Sequence, residues 1–348
     1  MAISSLHSLP PGTPVRAGDI NRYDAETPFV VNWVVSNACN FSCSYCSEAS
    51  VTKYNVPRME DLKKSVNAIA ALDRTKVKFT LTGGEPTIHP DFVELVQYIL
   101  ETLGDRVFIH IMTNLSQSPQ FFSDFAEKFK NYTSQIDFDA SIHLEQVDMS
   151  GFEQAATILS DAGFVVVAYV LAHPRYMKIV RKTHEHICGF ELENFRARPP
   201  KVVIFSGNRP SPPVFTQEDS LWLGIGQGSA KTVQNLFVDR IKTTTPELVL
   251  HRELFDRNTL IASQQNNFKG LLCNAGVDSI AIDQNGLVDR AVCFRGSGLS
   301  QLNIYTDPNI LDHLGSPVKC PFEQCFCGAD LVLPKYIIPE LGPNKNTA

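Results

Sequence analysis

Three cysteines, Cys39, Cys43 and Cys46, stand in C-x3-C-x2-C spacing, with Tyr45 directly before the last. Residues 29–36 (FVVNWVVS) lead into them. That apolar run, bounded by Pro28 and Asn37, reads as a buried strand. The chain is therefore expected to place a cysteine loop with metal-ligating spacing at the end of a buried strand. Cysteine thiolates ligate iron–sulfur clusters, and three this close together can hold three irons of a cubane [4Fe–4S] cluster. The fourth iron then has no protein ligand in the motif and stays open to a substrate or cofactor. Two other readings compete. The three could be zinc ligands, although a closed zinc site wants a fourth nitrogen or sulfur donor. They could also be core cysteines packing as small hydrophobes.

A second apolar strand, over residues 77–81, ends in Thr82-Gly83-Gly84-Glu85-Pro86. The two glycines let the backbone approach a ligand closely, and the Glu85 carboxylate can accept hydrogen bonds from an ammonium group. Together, the cysteine triplet with Tyr45 and the Gly83-Gly84-Glu85-Pro86 segment closely resemble the radical S-adenosylmethionine (radical SAM) enzymes. The resemblance implies that S-adenosylmethionine chelates the open iron through its amino and carboxylate groups. Gly83, Gly84 and Glu85 would hold the amino group, with Tyr45 in the cofactor site. It further implies that an electron from the cluster cleaves the sulfonium to a 5′-deoxyadenosyl radical, which abstracts hydrogen from a substrate. The protein positions this chemistry and the cofactor carries it. A flavodoxin or ferredoxin is the implied electron donor.

Composition agrees with such an enzyme. The 348 residues suffice for one large or two modest domains. Hydrophobic residues make up 43% and charged ones 20%, enough for a sizeable core. The net charge of −6 offers no basic field to attract nucleic acid. No apolar run reaches the length of a membrane span, and the first residues lack a signal-peptide pattern. Nine cysteines in a chain with no sign of secretion point to metal or redox chemistry in the cytoplasm, not to a disulfide framework.

Apolar periodicity predicts helices over 59–72, 91–103, 120–129, 151–162 and 176–187. It predicts strands over 106–112, 135–140 and 164–171, with the next at either 191–196 or 202–205. Strands alternating with helices give an α/β fold with a parallel sheet, here a partial (β/α)6 TIM-like barrel over 29–205. Residues 1–28 read as a loose lead-in and 206–267 as a linker and bridging segment to which composition assigns no role. A small cysteine-rich domain of β-hairpin and helix is expected at 268–335, then a tail at 336–348.

In barrels of this kind, functional groups gather at the C-terminal ends of the strands. Those ends offer Thr113 and Asn114, then Ser141, His143 and Glu145, then His173 and Arg175. The family resemblance assigns Thr113, Asn114 and Ser141 to S-adenosylmethionine, although the first two also read as a cap and turn. His143, Glu145, His173 and Arg175 are candidate substrate contacts, each equally readable as a solvated rim residue.

Cys273, Cys293, Cys320, Cys325 and Cys327 lie in the last quarter. Residues 277–282, the turn Asp283-Gln284-Asn285-Gly286 and residues 287–288 read as a hairpin that draws Cys273 and Cys293 together. The set resembles the twitch domain, a shortened relative of the SPASM domain. That resemblance implies one auxiliary [4Fe–4S] cluster on four of the five, with Cys320 and Cys327 slightly ahead of Cys325. A zinc knot and unligated thiols are the alternatives. Cys188 reads either as a buried hydrophobe or as a thiol that returns a hydrogen atom to a substrate radical.

The expected substrate is a small hydroxylated molecule: a sugar, an aminocyclitol or a nucleoside-like alcohol. The radical would take a carbinol hydrogen, giving dehydrogenation with the auxiliary cluster as electron conduit, or epimerisation. The rival is a peptide- or protein-modifying enzyme, against which the 28-residue lead-in is short for a folded leader-binding domain. A non-catalytic electron-transfer protein is the third reading.

Overall fold

The computed structural model describes residues 10, 12–15, 28–46, 54–203, 214–224, 235–244, 247–256, 266–294, 302–307, 309, 316–325, 331 and 333–337. A short strand, β1 (Thr13–Val15), comes first. The wall of the barrel follows: β2 (Phe29–Ser36), β3 (Val77–Gly83), β4 (Val107–Thr113), β5 (Ile136–Ile142), β6 (Val165–Ala172) and β7 (Phe195–Ala197). These six lie side by side in chain order, every neighbouring pair parallel. Helices α1 (Met59–Ala70), α2 (Phe92–Leu103), α3 (Pro119–Phe129), α4 (Met149–Asp161) and α5 (Met177–Cys188) fill the connections. The architecture is the partial barrel expected from the alternation of elements. Both candidate sixth strands form, each as a stub. β7 pairs with the first half of β6, and β8 (Lys201–Val202) pairs with its end.

Local chemistry sets the element ends. Ser118 Oγ accepts from the Phe121 amide at 3.2 Å, capping α3 with Pro119 at its first position. Gly104 ends α2 at a φ of 58°. Successive strand residues point to opposite faces. Val31, Trp33 and Val35 therefore pack outward against helices, while Asn32 faces the barrel lumen. The outward set joins Leu62, Ile99, Phe125, Leu159 and Val180 in one core. Among the described residues no helix is long and apolar enough to cross a membrane.

The rest departs from expectation. After α6 (Gln217–Trp222), capped by Thr216, come two long strands, β9 (Asn235–Thr244) and β10 (Glu247–Asp256). They pair antiparallel along their full length, where a bridging segment was expected. β1, in the lead-in, adds to β10 as an edge strand. The last quarter contributes β11 (Leu272–Cys273), β12 (Ser279–Ile282), β13 (Val288–Asp289), β14 (Val318–Lys319) and β15 (Lys335–Ile337). It is not one small separate domain. β11, β14 and β15 complete a sheet in the order β1-β10-β9-β15-β11-β14. The β12–β13 hairpin instead extends the barrel, with β12 parallel to β2 from Ser279↔Val30 to Ile282↔Trp33. The reason is apolar burial: Ile280, Ile282 and Val288 belong to the barrel core. The expected linker at 206–213 and Cys327 lie outside the described residues.

Candidate active site

The C-terminal ends of β2 to β6 surround a cavity of ≈ 350 Å³. Cys39, Cys43 and Cys46 line it with Gly83, Gly84, Glu85, Thr113, Asn114, Ser141 and His143. The two glycines serve the cysteine loop directly. A β-carbon on Gly83 would lie 2.0 Å from the Ser36 carbonyl oxygen, and one on Gly84 2.2 Å from that of Ala38. Bare glycine lets the Gly84 amide donate to Ser36 O at 2.9 Å and the Glu85 amide to Ala38 O at 2.8 Å. The end of β3 thus seats the backbone that carries the thiols.

Glu85 is only 1% exposed. Its Oε1 accepts from Thr87 N (3.1 Å), Thr87 Oγ1 (2.6 Å) and Thr113 Oγ1 (2.7 Å). Its Oε2 accepts from Asn114 N at 2.7 Å. Burial raises its pKa, and these hydrogen bonds pull against that rise. The carboxylate expected to meet an ammonium therefore already ties the end of β3 to the end of β4. Asn114 reaches the cysteine loop in turn, donating from Nδ2 to Asn40 Oδ1 at 3.2 Å.

His143 and Glu145, read from sequence as candidate substrate contacts, brace the thiol loop. Glu145 Oε2 accepts from Ser44 N and its Oε1 from Ser44 Oγ, each at 2.7 Å. Tyr176 Oη donates to Oε1 at 3.0 Å. The His143 ring stacks on Tyr45 with the planes 8° apart. Its Nδ1 lies 3.4 Å from Cys43 Sγ and 3.2 Å from Tyr45 Oη, and its Nε2 is 3.0 Å from Ser141 Oγ. Burial, reinforced by the Lys201 charge, lowers the His143 pKa to about 4, so the ring is neutral near pH 7. Tyr45 thus contributes through His143 and the loop; burial holds its hydroxyl well above the usual tyrosine pKa.

His173 packs against Tyr45 with ring centroids 5.8 Å apart, and its Nδ1 accepts from Arg175 N at 3.1 Å. It acts as a turn cap and not as part of the cavity wall. Arg175 is exposed. Cys188 is exposed at the last residue of α5, its Sγ 3.6 Å from His184 Nε2. Because α5 starts at the site end of β6 and runs back, Cys188 ends at the opposite edge of the barrel. Cys188 is not among the residues lining the cavity, and its exposure corrects the reading of it as a buried hydrophobe.

Sequence reasoning missed Tyr169 and Leu171, which line the cavity from β6. Their signal was available: period two places them on the lumen face beside Ser141, the register partner of Tyr169. Asn55 was also missed. It donates from its backbone to Asn37 Oδ1 at 2.7 Å and from Nδ2 to Gln284 O at 3.0 Å, tying the cysteine loop to the β12–β13 turn. No local pattern announces a contact so distant in sequence.

In the tail, Cys273, Cys293, Cys320 and Cys325 line one small cavity with Phe294 and Phe322. Cys320 is placed by mutual backbone bonds with residues 270 and 271, and Cys325 by a pair with Asn266.

Residues 33–149 match the family model of the radical SAM superfamily. The chain therefore carries a radical SAM domain, and that domain holds the triplet, the Gly-Gly-Glu-Pro segment, Thr113, Asn114 and Ser141. The chain is 38% identical to a GTP 3′,8-cyclase of Mannheimia succiniciproducens over 69 residues, 19% of this chain and 20% of that protein. It is 30% identical to the mycofactocin maturase MftC of Mycobacterium tuberculosis over 100 residues, 26% of this chain and 25% of that one. The match thus spans about a quarter of these relatives' length. In fold the chain resembles SuiB of Streptococcus suis bound to S-adenosylmethionine, with a TM-score of 0.55 at 15% identity, covering 82% of this chain and 65% of SuiB. It also resembles anSMEcpe with bound AdoMet and the Kp18Cys peptide, with a TM-score of 0.54 at 12% identity, covering 82% and 81%.

The residues present fit the family's cofactor pair, a [4Fe–4S] cluster with S-adenosylmethionine. Burial pushes the Cys43 thiol up to about 11, and the charges of Cys46, Glu145 and Cys39 add to the rise. Cys39 is raised too, first by burial. For Cys39 and Cys43, whose ionisation is opposed first by burial, binding iron as thiolates with release of protons relieves that opposition. Among the described residues no three Cys, His, Asp or Glu side chains gather tightly enough to hold a single metal ion. Ligands around a four-iron cubane stand farther apart than those of one ion.

Proposed function

We propose that this chain is a radical SAM enzyme that abstracts hydrogen from a small hydroxylated substrate. The observation that carries the reading is the convergence of all three motif cysteines with Gly83–Glu85, Thr113, Asn114 and Ser141 on one ≈ 350 Å³ cavity at the strand ends. When bound, the cluster and S-adenosylmethionine supply the 5′-deoxyadenosyl radical. The chain's own residues hold the thiol loop: Gly83 and Gly84 from below, Glu145 and His143 from the side. Tyr169 and Leu171 line the wall facing the substrate, with the Lys201 ammonium 4.9 Å from the Tyr169 ring centre. The GTP 3′,8-cyclase relatives support a nucleoside-like alcohol. The four tail thiols support an auxiliary [4Fe–4S] cluster able to accept the electron of a dehydrogenation. With Cys188 far from the site, that outcome is favoured over epimerisation quenched by this thiol.

A peptide-modifying reading also has support. One relative is a maturase by name, and one structure of like fold holds a peptide. Anaerobically reconstituted protein, reduced in the presence of S-adenosylmethionine, should form 5′-deoxyadenosine, and Cys43→Ala should not. An iron-loaded chain that forms none would overturn the enzyme reading. Deuterium carried from a C-deuterated polyol or nucleoside into 5′-deoxyadenosine would support the first substrate class. Transfer only from deuterated peptides would establish the second.

A further inference from the structure

Lys335 is 1% exposed, an uncommon state for a lysine. It stands on β15 directly opposite Cys273 of β11 in the antiparallel ladder. Cross-strand neighbours share one face with Cβ atoms about 4.5–5.5 Å apart. Lys335 accordingly lines the same cavity as Cys273, Cys293, Cys320 and Cys325. Its Nζ donates to Leu333 O at 2.9 Å and Leu331 O at 3.4 Å, and lies 5.0 Å from the centre of the Phe268 ring. Carbonyl oxygens and a ring face both stabilise the charged ammonium. In sequence Lys335 is one lysine in a short apolar stretch, with nothing to mark it. Only the β11–β15 pairing turns it toward the thiols.

We propose that Lys335 is the fixed cation that raises the reduction potential of the auxiliary cluster and keeps it able to accept an electron. This rests on the reading that the four tail thiols hold a [4Fe–4S] cluster. Reduction adds one electron to the cluster and no proton, so the reduced form carries one more negative charge than the oxidised. A positive charge in the low-dielectric wall stabilises the more negative form more strongly. Cluster potentials follow local charge, hydrogen bonding and solvent exposure, and Lys335 supplies charge where burial excludes water.

The full chain carrying Cys39→Ala, Cys43→Ala and Cys46→Ala isolates the tail cluster for a redox titration followed by electron paramagnetic resonance. Adding Lys335→Met should lower the reduction equilibrium constant tenfold or more, a fall of at least ~59 mV for one electron. Iron should stay at about four per chain. Lys335→Arg keeps the charge and should hold the potential. An unchanged potential in fully loaded Lys335→Met overturns the role of Lys335 and leaves the cluster standing. A triple-alanine chain that takes up no iron overturns the cluster and the proposal with it. Should Lys335→Met fail to fold, Lys335→Gln is titrated in its place, against the same tenfold expectation. A shift in Lys335→Arg equal to that of the neutral variant would mark a purely structural role and also overturn the proposal.

Discussion

At the scale of single residues, Gly84 decides whether the thiol loop can close. Its missing β-carbon would stand 2.2 Å from a backbone oxygen, an atom with no flexible end to move aside. Gly84→Ala should therefore lower the iron held by Cys39, Cys43 and Cys46. It should also destabilise the chain by about 1–3 kcal/mol, the usual cost of overpacking, measured by denaturant unfolding alongside iron per chain. Glu145 makes a different case. Glu145→Gln preserves volume but weakens two charge-assisted bonds to Ser44. Reconstituted iron should fall while the denaturant midpoint barely moves; full iron loading would show that the loop closes without this grip. The glycines were legible in sequence as a close-approach motif, but what they approach was not. Glu145 was visible only as a polar strand-end residue, because its partner lies in a loop about a hundred positions earlier in the chain.

At the scale of elements, the lumen faces of β4 and β5 form a charged network with Arg198, just after β7, and Lys201 of β8. His110 Nδ1 lies 2.5 Å from Asp137 Oδ1, and its Nε2 lies 3.5 Å from Asp139 Oδ2. Burial would lower the His110 pKa, but the two carboxylates outweigh it and leave it raised. Burial would raise Asp139, but the His110 hydrogen bond and the charges of Lys201, His110 and Arg198 leave it lowered. The two signs bracket a stability plateau. The His110 contribution is full below its unfolded pKa of about 6.5 and is lost as pH rises through the raised value. The Asp139 contribution is present above about 3.9 and is lost as pH falls through the depressed value. The melting temperature of the cluster-free chain should therefore decline as pH rises above about 6.5. That decline should vanish in His110→Gln; its persistence would assign the alkaline limb to other groups. Barrel helices and strands were legible because their periodicity runs unbroken over seven or more residues. The β9–β10 pair was not, since its strands are recognised by each other and not by a local apolar pattern. β7 and β8 were ambiguous because each is too short to establish a period.

At the scale of the whole molecule, the last quarter of the chain is part of the barrel's core and not an appendage to it. Ile280 is fully buried in the cluster that holds Val31 and Trp33. Arg74, after α1, reinforces the join by donating to Val277 O, and its guanidinium lies 3.9 Å from Asp278. Ile280→Ala should cost about 2–5 kcal/mol and lower a single unfolding transition. Two separated transitions, with only the weaker one shifted, would make the tail an independent unit. The barrel, the cysteine-bearing loop at its mouth and the glycine segment beside it are all written in local stretches of sequence. Those features rest on local period, on turn chemistry and on a spacing of thiols short enough to act within one loop. Folding in three dimensions is what sets β12 on the edge of β2, Glu145 and His143 against the loop, Cys188 at the far end and Lys335 facing four thiols. Each of these is a contact between distant segments. Such contacts depend on which open edge or apolar face each segment can cover, and no window of sequence contains both partners.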